Sequence, residues 1–407
     1  MSWRSASLHW SAVTAPTSRL RLAFFSPLPP QRTGIAEYSY ELLPYLEQLA
    51  DLTLFTDDPA QVQDILRARY TILPTNAYPQ QRFAFDLPIY QIGNASFHAS
   101  IYDTALRYPG IAVLHDYYLH HLIAAMTVAK GENARYQREM GYHGGAKGIM
   151  RAAANIRHDK ALPLFELPLA ARLINSSLGI IVHSRYVRSL IRQEGHRTPI
   201  QVAPQPIDIV DPSTECRDTL GWPPDVLIFA SIGQLTATKH LDQALRAFAQ
   251  VVEGFPKARY LIVGEGHPEQ QKLQALVRKL KLNELVRFTG YVNDLAALQG
   301  WIAASDVVIN LRYPTIGETS ATALRALAAG KPLIVNDHGW YSELPDEGCW
   351  KLQTLDDGEL VSAMTRLASE PTMRRNMGGD GRRYIAEHST GTQAAQAYIR
   401  LAEHFMR

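Results

Sequence analysis

Three places in the chain set small residues and polar donors where an apolar run passes into a helical pattern, which is the chemistry of an anion site. Asn310 to Val335 reads NLRYPTIGETSATALRALAAGKPLIV and follows the apolar run SDVVI. Gly317 permits a tight turn there, Thr319 or Ser320 can cap, and the helix they open ends at Gly330 with Pro332 just beyond. The amides of Thr319, Ser320 and Ala321 would then leave the strand's carboxyl edge unpaired and, with the helix dipole, attract an anion. An ordinary capped helix reads the same way. The second place, SIGQLTATK, has Gly233, Gln234 and then Lys239 in what reads as the first turn of a helix. A lysine there opposes the helix dipole, which an external anion would explain, and an exposed surface lysine is the plain alternative. The third is PQRTGIAE, with Gly34 where the first strand becomes its helix and a backbone can approach a phosphate.

His115 ends the apolar run IAVL, where an imidazole can bond a hydroxyl or move a proton. His120 and His121 follow, but adjacent positions diverge around a helix and five-apart ones do not stack, which argues against a metal site. No Walker loop, nucleophile elbow, zinc-protease helix or paired CxxC is present. VGEGHPE begins like a dinucleotide fingerprint but has Glu269 at the third glycine position, a weak case for NAD. Lys130, Arg135, Arg138, Lys147, Arg151, Arg157 and Lys160 outnumber Glu132, Glu139 and Asp159, so 130–160 could touch an anionic membrane or acceptor, although a solvated face is the commoner meaning.

The elements that must hold these residues alternate. Strand-like runs at 21–26, 52–55, 89–92, 111–114 and 179–183 are separated by helical patterns, and a second series begins at 226–232 and continues at 260–263, 286–289, 307–310 and 333–335. The helix after the second glycine loop carries Leu241, Ala244, Leu245, Phe248 and Val252 on one face. Such alternation predicts parallel sheets covered on both faces, with ligands at the carboxyl ends of the strands. With 407 residues, two domains are expected. A proline-rich stretch over 202–224 marks the linker, giving a flexible tail at 1–18 and Rossmann-like domains at 19–210 and 211–389, which the resemblance given below would make the acceptor and donor domains. The last helix, within 390–407, could pack on either.

Composition is that of an ordinary globular chain, with 46% hydrophobic and 20% charged residues and a net charge of +2, which says little about partners. The two cysteines form no disulfide framework, no apolar stretch nears the ~20 residues of a membrane span, and the N-terminus has no apolar leader core, so a cytoplasmic location is expected.

On these residues the chain resembles the family 4 glycosyltransferases, retaining enzymes of the two-domain GT-B fold, from about residue 19 to the end and most specifically in the second domain. The resemblance implies transfer of a sugar from a nucleotide-diphosphate donor to a hydroxyl acceptor in glycan, glycolipid or polysaccharide synthesis, with no required metal or other cofactor and no nucleic acid as partner. A peripheral position at the inner membrane face would follow from the basic run at 130–160. By position the resemblance implies that Gly34 lies beside the donor phosphates and that His115 contacts the donor sugar. Lys239, with Gly233 and Gln234, would hold the diphosphate together with Thr319, Ser320 and Ala321, while Tyr291 and Val292 would read the base. It implies too that the last helix crosses back onto the first domain.

Two departures stand out. Gln234 occupies the place of a usual arginine. Counting back from LRALAAGKP sets Arg325 where many members have the ribose-binding glutamate and Gly317 where they have another, with Glu318 one step off. Arginine cannot accept from ribose hydroxyls. A subgroup built on RYPTxGETS is therefore expected, with Glu318 in an acidic catalytic role and Arg325 or Arg312 restoring positive charge. A sugar-nucleotide epimerase or phosphorylase on this fold, or a non-catalytic binder of nucleotide sugar or glycan, remains open on the sequence.

Overall fold

Short runs of β-branched and aromatic residues, too brief for helices and bounded by turns, pair as parallel strands in two separate sheets. The computed structural model describes residues 19–157, 161–211, 215–292 and 294–406; the expected tail at 1–18, and Asp159 and Lys160 of the basic run, lie outside them. The strands are β1 Leu20–Phe25, β2 Ala50–Thr56, β3 Thr71–Pro74, β4 Leu87–Ile92, β5 Ile111–Leu114, β6 Gly179–Val182 and β7 Ile200–Val202 in the first lobe. The second lobe has β8 Leu227–Ile232, β9 Ala258–Val263, β10 Val286–Phe288, β11 Val307–Ile309, β12 Leu333–Asn336 and β13 Cys349–Leu352. Their orders are β3-β2-β1-β4-β5-β6-β7 and β10-β9-β8-β11-β12-β13. Each order reverses beside its first strand, so each sheet has a switch point at its carboxyl edge.

Apolar clusters cover both faces of both sheets, as continuous apolar strands require. The helix Leu241–Gly254 buries Leu241, Ala244, Leu245, Phe248 and Val251, with Val252 partly covered at the margin. Strands β3, β7 and β13 are the ones that apolar runs do not announce; all three are sheet edges, largely half-buried and mixed in polarity.

The helix Gly391–His404 returns to the first lobe. Ala394, Tyr398 and Leu401 join the cluster of Leu42, Leu43 and Leu46, and the Tyr398 and Tyr38 hydroxyls bond at 2.8 Å. Gly391 makes this approach possible, because a Cβ there would lie 2.2 Å from the Tyr45 ring. Among the described residues no helix is long and apolar enough to cross a membrane.

Candidate active site

The carboxyl edge of the second sheet is built around a glycine crossing. Gly233 follows β8 with φ +105, and Gly264 follows β9 with φ +127; a Cβ on Gly264 would meet the Gly233 carbonyl at 2.3 Å. The glycines that resemble a dinucleotide fingerprint therefore serve close packing of two loops. Gly233 in turn leaves room for Lys239, whose Nζ would be 2.7 Å from any Cβ there and donates to the Ile232 carbonyl at 3.0 Å.

Lys239 is not in the first turn of an α-helix as its spacing suggests. It ends a single 3-10 turn, Ala237–Lys239, and His240 at φ 49 separates it from the helix that starts at Leu241. The left-handed His240 bends the chain so that the lysine turns back under the glycine loop. Burial, with the Arg312 guanidinium as a neighbouring like charge, pulls its ammonium down to about 7, and Glu318 opposes this. Gln234, beside Gly233, is exposed.

The loop after β11 packs alongside. Asn336 clamps Arg312 on both sides, accepting from its N–H at 2.8 Å and donating to its carbonyl at 3.0 Å. Tyr313 N–H donates to the Thr238 carbonyl at 2.8 Å, stitching this loop to the turn that carries Lys239. Glu318 accepts from Thr315 Oγ1 at 2.8 Å and Ile316 N–H at 2.7 Å and pairs with Arg312 Nη1 at 3.1 Å. Glu318, expected in an acidic catalytic role, is thus bonded within its own loop. Ser320 caps the helix Ala321–Ala328 by accepting from Ala323 N–H at 3.2 Å, and Asn310 donates to Ser320 Oγ at 3.3 Å. The amides of Ala321 and Thr322 open this helix and have no intrahelical acceptor, while the Thr319 hydroxyl receives a bond from Gln205 of the interlobe segment.

From the first lobe, the loop after β5 meets that loop directly. Tyr117 and Tyr118 N–H both donate to the Ile316 carbonyl, at 2.8 and 3.0 Å. Gly317, at φ +84, lets them approach; a Cβ would lie 2.6 Å from Tyr117 Cβ. Glu343 of the second lobe accepts from Arg185 N–H at 2.9 Å and Tyr186 N–H at 2.5 Å, so it caps the first-lobe helix Arg185–Gln193. Gly34 opens the helix Gly34–Leu46 behind the Thr33 cap, with open space before it. Arg32 stacks across the lobes on Tyr291, its Cζ 4.5 Å from the ring centre.

His115 does end β5, but it is 8% exposed and edge-on to Tyr38. Its Nε2–H donates to Gln91 Oε1 at 2.7 Å, which leaves Nδ1 the lone pair. Burial, then His183 and His98, hold the ring well below the usual histidine range, so it is neutral near pH 7 and can accept from a hydroxyl. The next residue, Asp116, was not singled out by its spacing. Its Oδ2 accepts from Asn94 N–H at 2.7 Å, and burial, reinforced by Glu318, pushes its carboxyl up to about 7. A carboxylate directly after the strand-ending histidine was the available signal. His120 bonds Tyr136 and Leu167, and His121 faces Asn94. Among the described residues no group of three or more His, Cys, Asp or Glu gathers as it would around a metal ion.

Arg325 sits elsewhere than a ribose contact would suggest. It is 5% exposed, and its Nη2 bonds Glu41 Oε2 at 2.8 Å while Nη1 lies 3.7 Å from Glu37. It ties the second lobe to the first-lobe helix Gly34–Leu46. In the basic run, Arg135 pairs with Asp103 and Glu132, and Arg151 with Glu166, while Glu139 is taken by Arg172. Tyr142, Ile149 and Met150 are exposed along Asn133–Ile156, Tyr142 before and the other two after a break in the helix at Gly145, whose φ is 58. Val292 packs on the second-lobe core, and Tyr291 is 39% exposed.

Comparison with known proteins separates the lobes. Residues 213–384 match the model of the glycosyl transferases group 1. A D-inositol 3-phosphate glycosyltransferase of Catenulispora acidiphila is 27% identical over 203 residues, 46% of this chain and 46% of that one. The alpha-monoglucosyldiacylglycerol synthase of Acholeplasma laidlawii is 23% identical over 187 residues, 46% of this chain and 45% of that one. The alignments thus span about half the length of these curated relatives. Over the whole chain the likeness is structural. Anabaena HepE, solved with UDP, superposes with a TM-score of 0.67 at 16% identity, covering 95% of this chain and 99% of that one. A Thermosynechococcus elongatus sucrose-phosphate synthase superposes with a TM-score of 0.68 at 17% identity over 95% and 99%. The chain has the two-lobed, parallel-sheet GT-B fold.

Proposed function

We propose that this GT-B chain is a retaining hexosyltransferase of the family 4 type, moving a sugar from a nucleotide-diphosphate donor to a hydroxyl acceptor. The observation that carries the reading is the convergence of Gly233, Lys239 and the opening of the helix Ala321–Ala328 at one sheet edge, in the lobe that matches the group 1 model, against the first-lobe loop that follows His115. An amide-lined helix end beside a lysine suits a diphosphate. The relatives' names include an inositol phosphate and a diacylglycerol product, and HepE was solved with UDP; a glycan or lipid acceptor and a uridine nucleotide are the natural first trials. Contact of 130–160 with an anionic membrane would accompany a lipid acceptor.

In this reading the C1–O bond to the diphosphate breaks while the acceptor hydroxyl approaches the same face. Lys239 and the amides at 319–322 stabilise the charge growing on the leaving group. Neutral His115 accepts from a donor-sugar hydroxyl through Nδ1, and no metal is needed at the diphosphate. Gly34 lies at the phosphates from the other lobe, Tyr291 and Val292 at the base.

A thermal-shift screen over UDP, GDP, ADP and their sugars tests this. A ligand at 100 times its dissociation constant should stabilise by about 2.7 kcal/mol. No shift with any of them would remove the donor site. Binding without donor consumption would move the chain to the class of binders.

A further inference from the structure

We propose that Arg312 is the second cation of the diphosphate site, acting beside Lys239 beneath the opening of the helix Ala321–Ala328. This rests on the functional reading above and assigns the charge that its glycine loop lacks. That loop offers one cation, since the residue after Gly233 is the neutral, exposed Gln234. A diphosphate carries more than one negative charge, so a single lysine leaves it incompletely matched.

Arg312 is placed to supply the rest. It follows β11, the neighbour of β8 in the sheet, so it leaves the same carboxyl edge as Gly233. Its backbone is fixed by the two Asn336 bonds. Two further bonds hold its neighbour to the lysine turn: Tyr313 N–H to the Thr238 carbonyl, and His240 Nε2 to the Tyr313 carbonyl at 2.8 Å. The guanidinium is only 22% exposed, with Nη1 on Glu318 and Nε enclosed without a protein acceptor. The shared carboxylate is already engaged by Thr315 and Ile316. With Lys239 protonated, two cations and one carboxylate leave a net positive charge under a helix start.

Arg325 does not compete for this role, being committed to Glu41.

The two cations also work against each other. Burial and then the Arg312 charge depress the ammonium of Lys239, and Glu318 opposes them. Among the described residues the other titratable groups beside this cluster are Asp116 from the first lobe, Tyr341, which meets both Arg312 and Glu318, and His240 in the same turn. A diphosphate anion arriving between the two cations should draw a proton onto Lys239. The binding event is then coupled to proton uptake above pH 7.

Calorimetric titration of the full chain with UDP at pH 8, in two buffers of different ionisation enthalpy, reads both affinity and protons. Wild type should take up roughly one proton per UDP, because an ammonium titrating at about 7 is mostly neutral at pH 8. Arg312→Gln should weaken UDP by roughly 10- to 100-fold, the range for losing a charged hydrogen-bond partner. It should also reduce the proton uptake in part, since removing the like-charged neighbour raises the Lys239 ammonium while burial, the larger cause, still holds it down. Arg312→Lys, which keeps the charge, should bind within a few-fold of wild type and retain the uptake; if the Gln variant does not fold, loss of uptake in the Lys variant overturns the assignment. Unchanged UDP affinity in Arg312→Gln overturns it as well. So does weakened affinity with undiminished uptake, which is the signature of a purely structural arginine. Wild type that binds none of UDP, GDP or ADP defeats the functional reading itself and this assignment with it.

Discussion

His115 shows what a single residue can and cannot do here. Its strand position was legible in IAVLHD, but its environment was not, because Gln91, Tyr38 and His183 come from distant parts of the chain. Held neutral by burial, it cannot serve as an acid near pH 7. It can accept a bond from a hydroxyl, and such a contact matters most as the sugar approaches its transition state. His115→Ala is therefore expected to bind UDP nearly as wild type does while losing most donor consumption, a split that calorimetry and a product assay measure on one preparation. Loss of UDP affinity and thermal stability together would make it a core histidine. Lys239 and Gly233 were legible as a pair from spacing, yet the turn that joins them was misjudged. The left-handed His240 gives only a weak sequence signal, since histidine is enriched among non-glycine residues at positive φ but most histidines do not take it.

At the scale of elements, the stretch NLRYPTIGETSATAL answers why a buried strand should run through so polar a loop. Ser320 caps the following helix, Glu318 and Arg312 brace the loop, and the Ile316 carbonyl receives two amides from the other lobe. The cap was readable because Ser precedes an alanine-rich helical run; the brace was not, since Glu318 could equally have faced a ligand. Gly317 is the hinge of the design, with φ +84 and Tyr117 Cβ 2.6 Å from where its own Cβ would stand. Gly317→Ala should cost about 1 to 3 kcal/mol from backbone strain and overpacking, seen as a lowered chemical-denaturation midpoint. A variant as stable as wild type would mean that this loop contact does not form in solution. The fold itself was legible wherever a strand was central and apolar throughout. Edge strands β3, β7 and β13 escaped because each is only three or four residues long and mixes polar with apolar positions.

Across the whole molecule, the lobes are held by bonds that no local pattern announces. They include Glu343 capping the helix Arg185–Gln193, Gln205 on Thr319, the Tyr117 and Tyr118 amides on Ile316, and the buried Arg325–Glu41 pair. Burial raises the Glu41 carboxyl despite Arg325, so the pair contributes more to docking geometry than to net stability. Arg325→Ala should cost about 3 to 5 kcal/mol, because it strands a buried carboxylate, and Arg325→Met with Glu41→Leu should recover most of that. Thermal and urea unfolding of the three proteins would measure it, and a single variant within experimental error of wild type would contradict a buried pair. On the proposed function, a cleft that opened to admit a donor would break several of these contacts together and so couple them to binding.

The central claim is that this edge stabilises a departing nucleotide diphosphate, and the release of nucleotide diphosphate from a panel of UDP-, GDP- and ADP-sugars, by wild type and Lys239→Ala, tests it most directly. At least one donor should be consumed by wild type, and the variant should be slower on it by about 100- to 1,000-fold, the range for removing a transition-state donor, with its thermal stability nearly unchanged. A variant that turns over its donor at the wild-type rate, or a wild type that consumes none of the panel, would contradict the account.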